Sequence, residues 1–135
     1  MSHARYAATQ ATAEHPREAE IRAFAAVARE LEAAGSARVA RVAALHRNMR
    51  LWSVLQADLL HQGNHLPQQL KGMLVSLAIY AQRASMAAMD DDRPLEPLAE
   101  LNRDMAEGLS AQRRARAMTG VASAGSQARV TALAG

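Results

Sequence analysis

Residues 36–62 read SARVARVAALHRNMRLWSVLQADLLHQ, a run without proline or glycine bounded by Gly35 and by Gly63-Asn64. Alanine, leucine and arginine throughout such a run predict one long helix, with Ser36 as its N-terminal cap. The main apolar stripe is Val42, Leu45, Met49, Trp52, Leu55 or Gln56, and Leu59. At about 100° per residue, Leu51 and Val54 point to the opposite side, so the second half of this helix is apolar nearly all round. It has to be covered twice.

The neighbouring segments extend the pattern. Leu66-Pro67 restarts the chain, and Leu70, Met73, Leu74, Leu77, Tyr80 and Ala81 form the stripe of a helix reaching about Met89, with Val75 and Ile79 again off it. Upstream, Pro16-Arg17-Glu18 suits a helix start, since proline fits the first turn and the glutamate its positive end. Ile21, Phe24, Ala28 and Leu31 then line one face as far as Gly35. Downstream, the acidic turn Asp90-Asp91-Asp92-Arg93-Pro94 precedes a helix with Leu98, Leu101, Met105 and Leu109 inward and Glu100, Asp104 and Glu107 outward.

The reading is all-α: a small antiparallel bundle of four main helices near 16–34, 36–62, 67–89 and 95–112, with a short N-terminal helix over 3–14 as an additional expectation. Residues 1–111 make the helical domain. Residues 112–135, rich in Arg, Ala and Ser and lacking apolar periodicity, read as a flexible tail.

Composition agrees. The chain has 135 residues, enough for one domain, and its 32 alanines favour helices that approach closely. Charge is segregated: residues 36–88 hold six basic side chains against Asp58 alone, whereas residues 89–112 hold seven acids against Arg93 and Arg103. Attraction between packed helices explains this, or a charged partner does. The first thirty residues lack a basic stretch followed by an apolar core, and no apolar run is long enough to span a membrane. A cytoplasmic protein is expected.

Little in the chain carries chemistry. The absence of cysteine removes disulfides, thiolate nucleophiles and Cys-based metal motifs. His61 and His65 have the four-residue spacing of a helical metal pair, but Gly63-Asn64 breaks the helix between them. Neither a nucleophile elbow, a phosphate-cradling glycine loop nor a zincin pair occurs, so no enzyme, metal or cofactor is expected. Arg38, Arg41, Arg47 and Arg50 could follow a phosphate backbone, yet the aromatic set is only Tyr6, Phe24, Trp52 and Tyr80, which disfavours direct nucleic-acid binding.

The string Asn48-Met49-Arg50-Leu51-Trp52, then Asn64-His65-Leu66-Pro67 with Leu70, then Leu101-Asn102-Arg103 with Gly108-Leu109, resembles the flagellar biosynthesis regulator FlaF family. Pro16-Arg17-Glu18 with Phe24 fits the same family's opening. The resemblance covers about residues 3–111. It implies a small helical, non-enzymatic regulator of flagellin synthesis and export that binds flagellin as a chaperone-like adaptor, alongside or against the regulator FlbT. The alternative is post-transcriptional control of flagellin messenger RNA, directly or through FlbT.

Among the matching residues, Trp52 reads as a core anchor, Asn48 and Asn102 as amides that position the chain, and Asn64 as a turn or cap before Pro67. Pro16, Leu66 and Gly108 complete the structural set. Leu51, Val54, Val75 and Ile79 are expected to face a partner, with Arg47 and Arg50 as a charged rim. Two alternatives compete with that docking role: these two helices sit centrally and their neighbours cover both sides, or the extra apolar face is a homodimer seam.

Overall fold

The computed structural model describes residues 16–134, with side chains over residues 18–119; the helix expected over 3–14 lies outside that range. Four helices follow in order: α1 (Pro16–Ala33), α2 (Arg38–Leu60), α3 (Gln68–Ala88) and α4 (Glu96–Ala134). No strand occurs among the described residues. Residues 23–104 form one compact unit, and, of the described residues, 16–22 with 105–134 belong to a second.

Within residues 23–104 the helices make an antiparallel bundle. Glu30 of α1 pairs with Arg47 while Phe24, further from the turn, meets Trp52, so α1 and α2 run in opposite senses. The bonds Asn48 to Ser85 and Gln56 to Gln82 set the same relation between α2 and α3. The core combines Val27, Ala28 and Leu31 of α1 and Ala34 just after it with Ala44 and Leu45 of α2, Ala88 of α3, Leu95 just before α4, and Leu98 and Ala99 in its first turn.

The connections are built locally. Gly35 takes φ 54°, the left-handed conformation that favours glycine after a helix. The expected Ser36 cap is not used: Ala37 occupies the cap position without a side-chain bond, because its N–H is held to Ala34 O and Ser36 lies inside the turn. Between α2 and α3, the Asn64 side-chain oxygen accepts the Leu66 N–H at 3.1 Å, the turn expected of that residue, and Pro67 caps α3.

Two faces differ from expectation. On α2 the buried positions are Arg41, Ala44, Leu45, Asn48, Trp52, Leu55 and Leu59, while Val42 and Met49 are only half-buried. On α3 the buried positions are Ala78, Ala81, Ser85 and Ala88, whereas Met73 and Tyr80 are exposed. The reason is close approach: small side chains bring α3 near its neighbours, and polar ones bond across the gap. On α4, Asn102 is buried and Leu101 half-buried, a turn of the same kind.

In the second unit, α4 runs on to Ala134, beyond the end expected near residue 112. That stretch contains no proline, and Ala, Arg and Gln sustain a helix without an apolar stripe. Arg113 pairs with Glu18 in the first turn of α1. Gly108 is exposed, and a Cβ there would meet nothing, so no tight contact accounts for its place in the motif.

Candidate functional site

The centre of the bundle is held by a chain of buried hydrogen bonds through three helices. Trp52 Nε1 donates to Asn102 Oδ1 at 2.9 Å, Asn102 Nδ2 donates to Asn48 Oδ1 at 2.7 Å, and Asn48 Nδ2 donates to Ser85 Oγ at 2.9 Å. Ser85 Oγ in turn donates to Ala81 O at 2.6 Å. All four side chains have essentially no exposure. A dry, connected network of this kind penalises every misregistered packing of α2, α3 and α4. Phe24 meets the indole edge-on, with ring centroids 5.2 Å apart. Trp52, Asn48 and Asn102 are thus interior residues. The two amides bond each other and a serine.

At the end of the bundle where the α1–α2 and α3–α4 turns meet, Arg41 is only 4% exposed. Its guanidinium donates to Asp91 O at 3.1 Å and Arg93 O at 2.9 Å, and Arg38 donates to Met89 O. The basic middle therefore meets the acidic turn through backbone carbonyls instead of carboxylates. Asp91 turns its carboxylate to the Arg93 side chain and N–H, and these bonds hold its carboxyl at about pKa 2. A cleft of about 320 Å³ opens beside Arg41, with Glu32, Asp92 and Glu96 at its edge. Burial of Arg41 also breaks the row of arginines weighed as a phosphate-tracking surface, and Asp58 has no ion-pair partner among the described residues.

The outer surface of α2 and α3 is the remaining candidate. Val54 is 61% exposed and Ile79 37%, while Leu51 and Val75 are half-buried, so the four residues expected to face a partner are not sealed inside. They do not, however, form one face. Gln82 Nε2 donates to Gln56 Oε1 at 2.6 Å, which marks the side of each helix turned to the other. On α2, Leu51 and Val54 lie about 140° and 160° round from Gln56, and Leu51 packs against the core shared with α1. On α3, Val75 and Ile79 lie within about 60° of Gln82, along the α2–α3 seam.

Residues missed by the sequence reading share that seam. Met49 and Leu60 lie within about 40° of Gln56, and Met86 within about 40° of Gln82. Leu60 is 64% exposed and Met86 59%. Of the two rim arginines, Arg47 is tied to Glu30, whereas Arg50 is exposed and unpaired among the described residues. The useful signal was the helical offset from the glutamine pair, legible only once the pairing of α2 with α3 is known.

Among the described residues no three His, Asp or Glu side chains cluster as metal ligands, and no helix is long and apolar enough to cross a membrane. No curated protein and no solved structure matches the chain significantly. A family model does match: residues 2–109 fit that of the flagellar protein FlaF, and the chain belongs to this family.

Proposed function

We propose that the chain controls flagellin supply by binding flagellin directly, as a chaperone-like adaptor that keeps the subunit from associating before export. Flagellin synthesis then responds to how much subunit is held and how much has left. The observation that carries this reading is membership of a flagellar family by a chain that leaves large apolar side chains of two adjacent helices in water. A surface of that kind suits an amphipathic helix of a partner. In this reading the protein is non-enzymatic, needs no cofactor and works in the cytoplasm, with FlbT as a second partner.

The rival reading, action on flagellin messenger RNA directly or through FlbT, draws on Arg114 and Arg116, exposed on α4 in a stretch free of acids. Pull-down of purified monomeric flagellin by the full chain tests the first reading, and titration of flagellin leader RNA at two salt concentrations tests the second. Retention of flagellin with no salt-sensitive RNA binding is the expected result. RNA binding without flagellin retention would overturn the proposal.

A further inference from the structure

The side of the α2–α3 pair turned away from the core has a definite chemistry. The antiparallel register set by Asn48–Ser85 and Gln56–Gln82 places Met49 near the level of Met86, and Leu60 near Val75. Ile79 lies between these levels. The resulting apolar groove has the Gln56–Gln82 bond at its seam and runs for roughly 16 Å, about three turns of helix. Two of its walls are methionine, whose flexible thioether adapts to a partner's side chains.

Charge narrows the occupant. Arg50, about 120° round α2 from Gln56, and Arg83, about 100° round α3 from Gln82, lie beyond the groove's walls on its outer rim, both exposed and, among the described residues, without an ion pair. Arg47, Arg93 and Arg103, in contrast, each reach a carboxylate. The one acid of the two helices, Asp58, lies about 160° round α2 from Gln56. Among the described residues the groove is therefore apolar, bordered by guanidinium groups without an ion pair and free of carboxylate. Its complement is an apolar stripe edged with acids. The chain's own stripes of that kind, Phe24, Val27 and Leu31 with Glu30 and Glu32, and Leu98 and Ala99 with Glu96 and Glu100, are buried in the core. These two stripes are therefore not accessible to a second folded copy.

We propose that this groove, walled by Met49, Leu60, Val75, Ile79 and Met86 and flanked by Arg50 and Arg83, receives an amphipathic helix of flagellin whose apolar stripe is bordered by carboxylates. The assignment rests on the reading that flagellin is the partner, and it replaces the mixed face expected from Leu51 and Val54.

The test is calorimetric titration of monomeric flagellin into the full chain and into three variants: Met86→Glu, the double variant Arg50→Glu/Arg83→Glu, and Met73→Glu, about 180° round α3 from Gln82. All the altered side chains are exposed, so helicity and melting should be kept, and circular dichroism checks this. Met86→Glu and the double variant should each weaken binding by about tenfold or more, with Met73→Glu close to wild type. The wild-type affinity should fall as salt is raised. Wild-type binding that the groove variants leave unchanged would overturn the groove and spare the proposed function. Failure of the wild type to bind would overturn both. A wild-type dimer by light scattering that Met86→Glu dissociates would assign the groove to a second copy and overturn the proposal.

Discussion

The inward side of α3 carries Ala78, Ala81, Ser85 and Ala88, while its outward sides carry Met73, Ile79, Tyr80 and Met86. The usual arrangement is reversed: small and polar residues are buried and large apolar ones are wet. What separates the two sides is their task. The inward side wins stability through close approach and the Ser85–Asn48 bond, which larger side chains would forbid. The outward side contributes little to folding, and its apolar surface is free for a partner.

The comparison breaks most readily at Ser85. Ser85→Leu both overfills the gap and leaves the Asn48 amide without its acceptor, and should cost roughly 2–5 kcal/mol in denaturant unfolding. A near-neutral result would show that the inward side is not closely packed. Trp52→Phe keeps most of the ring volume but removes the donor to Asn102 Oδ1, and should cost about 1–3 kcal/mol by the same measurement.

The outward side should respond differently. Gly72 is exposed, helical, and has nothing within reach of an added Cβ, so Gly72→Ala should stabilise by about 0.5–1 kcal/mol. Met86→Gln should change stability by no more than about 0.5 kcal/mol. A larger loss would mean that Met86 is packed rather than wet.

The smallest effect concerns the turn against Arg41. Because Arg93 lowers the folded pKa of Asp91 from 3.8 to about 2, its contribution is fully present above pH 4 and is lost as pH falls through 2. Asp91→Asn should flatten acid unfolding over that window and leave neutral pH behaviour nearly unchanged. A steeper acid transition in the variant would reverse the sign.

Much of this was legible in the residues. Gly35, Gly63-Asn64 and Pro67 mark where helices stop and restart, because their backbone preferences act locally. The stripe Phe24, Ala28 and Leu31 was readable because its buried residues are apolar. The core faces of α2 and α3 were not, since a reading that rewards size passes over Arg41, Asn48, Ala78 and Ser85. Their spacing was nonetheless regular. Arg41, Leu45, Asn48, Trp52, Leu55 and Leu59 alternate in steps of four and three, and Ala78, Ala81, Ser85 and Ala88 in steps of three and four, once polar and small residues are admitted to a core. The candidate groove was half legible: Val75, Ile79 and Arg50 belong to it, but Leu51 and Val54 needed the position of α3 to be set apart.

Methionine-methyl NMR of the full chain, with and without monomeric flagellin, bears most directly on the division between an inward side for folding and an outward side for binding. The Met49 and Met86 methyl signals should shift on addition of flagellin, and that of Met73, about 180° round α3 from Gln82, should stay in place. Bound flagellin that leaves Met49 and Met86 unmoved, or no methyl shift at all, would contradict it.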